Sequence, residues 1–190
     1  MKNALFLVLV CCSIFLGSCS IASIPEQTMT ITIPDAAAFY SGSDLQEIAD
    51  EMKESGSDYC TDARAVDGLL ILELTEKQRD NLVEKNNAFI QQLMDPFFDS
   101  DPSYSFEASE DYSELTFYYD EKLPKAIEAT AVFGVVGAYG YNHTLMSKTS
   151  DWSIHVKIFN CHTKKLAFDN WISYGESDKC VIDWEGSYVE

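Results

Sequence analysis

The side chains that do most protein chemistry near neutral pH are histidine, cysteine and clustered carboxylates, and here they fall in few suggestive patterns. The histidines are His143, His155 and His162. His162 directly follows Cys161, so a thiolate and an imidazole share one short segment. A zinc site wants three or four ligands with supporting partners, and no CxxC or HExxH supplies the others. Taken alone, the Cys161–His162 pair reads as part of a turn. Asp95, Asp99 and Asp101 gather carboxylates behind a predicted helix. Calcium needs several oxygens converging on one loop. Pro102 and Ser103 interrupt the EF-hand alternation, so this cluster reads as a solvated loop. Glu107, Glu110 and Asp111 come nearest to a catalytic carboxylate pair, which in a glycosidase stands about 5–10 Å apart in a cleft. There is no GxSxG elbow and no P-loop. The sequence therefore assigns no catalytic residue, no cofactor and no metal.

Two further patterns invite a reading. Gly134, Gly137 and Gly140 recur every third residue in AVFGVVGAYG. Each glycine costs a helix about 1 kcal/mol against alanine, so three together imply a backbone pressed close to a neighbour. The expected neighbour is the sheet, near Ile154 and Val156, with self-association as the other reading. The dinucleotide fingerprint needs a preceding strand and a different spacing. Tyr112, Tyr118, Phe159, Trp171 and Tyr174 fall where strand alternation turns away from the core, or in turns. Such a set either binds sugar or peptide on a shallow face, or forms a smaller second core.

The elements that must position these residues follow from periodicity. Residues 28–33 alternate polar and apolar, a half-buried strand. Ser43 and Gln46 resemble a capping box, and Leu45, Ile48, Ala49 and Met52 continue at helical spacing to a stop at Gly56. Asp67-Gly68 marks a hairpin before the strand 69–74. Thr75 and Gln78 form a second capping box, opening a helix over 76–94 that Pro96 helps to end, with Leu82, Val83, Phe89, Ile90, Leu93 and Met94 on its apolar stripe. Strands alternate around Tyr104, Phe106 and Ala108, and around Leu115, Phe117 and Tyr119, with a turn near Glu110-Asp111. Pro124 fits the first turn of an apolar helix reaching about Met146. Strands follow at 152–158 and 166–172, with a short one expected at 181–184. The order is one strand and then three rounds of helix–strand–strand. That predicts an α+β fold, an antiparallel sheet with helices mainly on one face.

Acidic residues dominate, with 31 Asp and Glu against 13 Lys and Arg and a net charge of −18. Such a surface repels nucleic acid, whose binders cluster Lys and Arg. It also holds the domain off an anionic lipid face.

The first residues carry one specific signal. Lys2 precedes an apolar run over residues 4–15, too short for the ~20 residues of a spanning helix. Leu16-Gly17-Ser18-Cys19 follows, and this ending resembles the lipobox of bacterial lipoproteins. The resemblance implies that residues 1–18 are a signal peptide and that Cys19 receives a diacylglycerol and becomes the first mature residue. The protein is then anchored in the membrane on its extracytoplasmic face, or in the outer membrane of a host with two, since Ser20 is not Asp. Several acyl chains hold firmly, at about 0.8 kcal/mol per buried CH₂. Residues 19–27 form a tether whose last eight residues reach at most ~28 Å. Residues 28–190 form a single domain. Of six cysteines, Cys60, Cys161 and Cys180 remain for it. An odd count is no disulfide framework. If the tail pairs with the strand before it, Cys161 and Cys180 are more than ~13 Å apart along the hairpin and stay unbonded.

Otherwise the chain resembles small lipoproteins that offer no active residues to carry over. The expected role is a non-catalytic binding or interaction module with a protein or glycan partner at the cell surface. The alternative is a carboxylate-dependent hydrolase of the envelope. The first predicts a shallow face with aromatics, the second two carboxyls converging in a deep cleft.

Overall fold

A computed structural model describes residues 26–34, 44–56, 58–173 and 181–188. The proposed signal, Cys19, Ser43, Tyr174 and Cys180 lie outside them. The fold is α+β, and its element order is the expected strand followed by three helix–strand–strand rounds. The strands are β1 (Met29–Pro34), β2 (Asp62–Val66), β3 (Leu69–Leu74), β4 (Ser105–Ala108), β5 (Glu114–Tyr119), β6 (Ser153–Asn160) and β7 (Leu166–Ser173). Helix α1 spans Leu45–Glu54 and α2 spans Glu76–Ser100. Helix α3 begins at Lys125–Ile127, widens into a π-helical stretch over Glu128–Gly134 and continues as Val135–Ser147. Helix α4 is Trp184–Tyr188.

The strands divide into two sheets. One is antiparallel, in the order β1-β3-β2. Its β2–β3 turn uses Asp67 and Gly68 at φ of 52° and 78°, the left-handed pair that a two-residue hairpin requires. The other sheet runs β4-β5-β6-β7, and β5 pairs with β6 in parallel. The connection permits the parallel pair: α3 separates β5 from β6, and a crossover of that length can return a strand in the same direction.

Two helices hold the sheets together. On α2, Leu82 and Val83 join the core over the three-stranded sheet, while Ile90, Met94 and Phe97 enter the core over the four-stranded one. On α3 the order reverses: Val132, Val135, Val136 and Ala138 pack with the larger core, Tyr141 and Leu145 with the smaller. Just past this change, next to Tyr141, sits fully buried Asn142. Its side chain accepts from Asn86 at 2.9 Å and donates to Asn87 at 2.7 Å, while Asn86 also donates to the Ala138 carbonyl.

Several local expectations change. Asp44 caps α1, accepting from the Gln46 N–H, where Ser43 was the expected cap. The Thr75–Gln78 box forms as read. Pro96 does not end α2. An internal proline loses one hydrogen bond and costs about 3 kcal/mol. Burial of Phe97 against Tyr104, Phe117 and Tyr119 offsets that cost. Phe89, expected on the stripe, is exposed. Residues 181–184 form no strand; Asp183 instead donates its N–H to the Ala167 carbonyl and its carboxylate accepts from Gly186, starting α4.

The glycines do not form one face, because a three-residue step falls short of a 3.6-residue turn and winds round the helix. Gly134 is exposed, with Leu93 of α2 among its nearest neighbours; Gly137 is half-buried; Gly140 is buried under Trp152, just before β6. Of the three only Gly140 is buried, and its near neighbour is Trp152, one residue before β6.

Candidate functional site

The four-stranded sheet turns Leu115, Phe117, Tyr119, Ile154, Val156 and Ile158 into the core. Alternation then sends their neighbours to the other face. Register fixes three rows there: Glu114–His155–Trp171, Thr116–Lys157–Asp169 and Tyr118–Phe159–Leu166. A bulge at Ala167, between the pairs Ile158–Phe168 and Phe159–Leu166, keeps β7 in phase below it.

This face is both aromatic and charged. Trp171 stacks on His155, ring centres 4.9 Å apart and planes 14° apart, yet remains 57% exposed on edge strand β7. Tyr118 stacks on Phe159 at 5.4 Å, and the Lys164 ammonium lies over the Tyr118 ring at 5.4 Å. His155 bridges two carboxylates, Nδ1 to Glu114 Oε2 at 3.2 Å and Nε2 to Asp169 Oδ1. Lys157 donates to Glu114 at 2.8 Å, and this bond with the adjoining charges holds the Glu114 carboxyl below the usual range. The side chain of His155 is 21% exposed, less than its outward position suggests, because Trp171 covers it. Of the five aromatics expected to turn outward, Tyr118, Phe159 and Trp171 share this face. Tyr112 instead packs on Tyr139 and touches both cores.

The other sequence candidates do not gather. Asp95 and Asp99 lie exposed on α2, and Asp101 caps its end while accepting from Ser103. His143 is half-buried on α3 beside Ser147. Glu107 lies on β4 opposite Thr116, and Glu110 and Asp111 lie in the β4–β5 turn. Asp111 accepts from the Ser113 and Ser109 hydroxyls and the Ser113 N–H, and these bonds pull its pKa to about 2. A proton donor needs a raised pKa, so Asp111 is tuned the wrong way for a general acid. Two clefts, one beside Met29 and Glu76 and one beneath Tyr59 and Lys85, contain none of these three carboxylates.

One group assembles that sequence reasoning missed. Because β5 and β6 run parallel, the residues following each meet at one corner. Cys161 donates its N–H to the Tyr119 carbonyl, which brings buried Asp120 beside the Cys161–His162 pair. His162 Nε2 lies 3.1 Å from Asp120 Oδ2. Asp120 Oδ1 accepts from the Tyr104 hydroxyl at 2.7 Å and the Lys122 N–H at 3.0 Å. Burial raises the Asp120 carboxyl, but these hydrogen bonds and that of His162 prevail and leave it below the usual range. Burial and the Asp120 contact both push the Tyr104 phenol well up. Ser103 reaches the Cys161 sulfur at 3.5 Å. Asp120 is 41 residues from Cys161, so only the parallel pairing could have pointed to it.

A comparison with known protein families, with curated proteins and with solved structures finds no match to this chain. No helix among the described residues is long and apolar enough to cross a membrane.

Proposed function

We propose that this protein is a lipid-anchored, extracytoplasmic binding module that takes a neutral or amine-bearing glycan on the outer face of its four-stranded sheet. The anchor rests on the lipobox-like residues 16–19. The observation that carries the binding reading is Trp171: a large indole on an edge strand, more than half exposed and fixed in orientation by the His155 stack. Rigid aromatics offer apolar area at small entropic cost, and a sugar ring presents a matching C–H face. Glu114, Asp169 and Lys157 supply acceptors and a donor beside the ring for hydroxyl groups. The net charge of −18 disfavours an anionic polymer. The shallow, aromatic character of the face favours binding over carboxylate-dependent hydrolysis.

Two measurements test this. Binding of full-length protein to isolated envelope polysaccharide should fall at least about tenfold in Trp171→Ala, the scale of a lost aromatic anchor, and recover in part in Trp171→Phe. Equal binding by all three would overturn the glycan reading. Cys19→Ala should move the protein from membranes to the soluble fraction; continued tight association would overturn the anchor.

A further inference from the structure

We propose that Asp120, Cys161 and His162 form a binding site for a divalent transition metal of the zinc class. The site is independent of the glycan face. One donor atom from each residue lies within 4.8 Å of the other two. Around a tetrahedral zinc ion, bond lengths of about 2.0–2.3 Å put nitrogen and oxygen donors about 3.3 Å apart and sulfur about 3.6 Å from either. The His162–Asp120 spacing of 3.1 Å already matches, and since no pair exceeds 4.8 Å, none needs to close by more than roughly 1 Å. His162 has room to do so, since its side chain is 52% exposed.

The surroundings are those of ligands held in place. The bonds to Asp120 from the Tyr104 hydroxyl and the Lys122 N–H both fall on Oδ1, while Oδ2 faces His162 Nε2 at 3.1 Å and the exposed Lys122 ammonium at 4.0 Å. Metal-binding carboxylates are oriented by such outer hydrogen bonds. The ligand-bearing turn is itself pinned: Asn160 is fully buried, accepts from the His162 N–H and donates to Ser187 of α4. Thiolate, imidazole and carboxylate together select zinc or a similar ion over magnesium or calcium, which prefer oxygen alone. On binding, Cys161 gives its thiol proton to solvent, the His162 Nε2 lone pair turns to the ion, and water takes the fourth position from the exposed side.

Titrating the full-length protein with cobalt(II) tests the site, because a thiolate–cobalt bond absorbs in the near ultraviolet. The expected result is one equivalent bound with that absorption, retained in Cys60→Ala and Cys180→Ser and abolished in Cys161→Ser. His162→Ala leaves Asp120 the Tyr104 and Lys122 bonds, so the metal-free protein should still fold and melt cooperatively, and the change should weaken cobalt and zinc binding at least about tenfold, the usual loss for a disturbed metal site. Absence of the absorption in the unaltered protein, its survival in Cys161→Ser, or unchanged affinity in folded His162→Ala would each overturn the proposal.

Discussion

Gly140 lies directly beneath the indole of Trp152: a Cβ at this glycine would stand 2.4 Å from Cε2 and 2.5 Å from Cδ2. Trp152 is only 7% exposed and rigid, so it cannot swing aside as a flexible chain end would. Gly134, on the same helix, has nothing nearer than 3.9 Å. The two alanine substitutions should therefore differ in sign. Gly140→Ala gains about 1 kcal/mol of helix propensity but overpacks a full core, and should destabilise by roughly 1–2 kcal/mol net. Gly134→Ala should stabilise by up to about 1 kcal/mol. Urea denaturation of both variants checks this; equal shifts would refute the close approach at Trp152.

The carboxyl of Asp111 should titrate near pH 2, held down by Ser113 and Ser109. A depressed folded value means that the turn's contribution is complete above the ordinary value of 3.8 and is lost as pH falls through about 2. In Ser113→Ala the titration should move up toward 3.8. Carboxyl-detected NMR titration reads both; an unshifted Asp111 would show that the seryl bonds do not hold in solution.

Phe97 is expected to be the reason α2 runs on past Pro96. Phe97→Ala removes a ring with 0% exposure that meets Tyr104, Phe117 and Tyr119. The loss should be about 3–5 kcal/mol. With the anchor gone, proline's penalty is no longer offset, so amides of residues 97–100 should exchange with solvent faster than those of residues 82–90. Unchanged protection after Pro96 would mean the helix persists on its own account.

The pattern of what was legible has a physical basis. Apolar alternation and capping residues are local, so the class, the round order, the Asp67-Gly68 hairpin and the Thr75–Gln78 cap could all be read. Partition into two sheets could not, because nothing local in β5 or β6 distinguishes a parallel neighbour from an antiparallel one. That one unknown hid Asp120 from Cys161 and His162. It left the outward rows readable as aromatic positions on single strands, but not as the Glu114–His155–Trp171 alignment. Pro96 misled for a related reason: the residue that overrides it is held by side chains from β5, twenty and more positions later.

Asn142 lies at the join between the two cores. Asn142 has no exposure and sits on α3 where its neighbours change from the larger core to the smaller. An asparagine buried there must find partners, and it finds them on α2, in Asn86 and Asn87. Each such bond contributes about 1 kcal/mol net, and a buried partner left unsatisfied costs more. Asn142→Ala removes both bonds and opens a small cavity, so it should destabilise by roughly 2–4 kcal/mol. Asn87 is half-buried and recovers water, whereas Asn86 keeps the Ala138 carbonyl, which holds the loss within that range. A cycle with Asn86→Ala should show coupling of about 0.5–3 kcal/mol, as expected for directly bonded residues. Because α2 and α3 each serve both cores, the unaltered protein should unfold in one transition seen alike by tryptophan fluorescence and far-ultraviolet circular dichroism. Trp152, Trp171 and Trp184 all belong to the four-stranded half, so fluorescence reports that half alone. If the two signals separate in the unaltered protein, the halves are independent and the asparagine bridge is not what joins them.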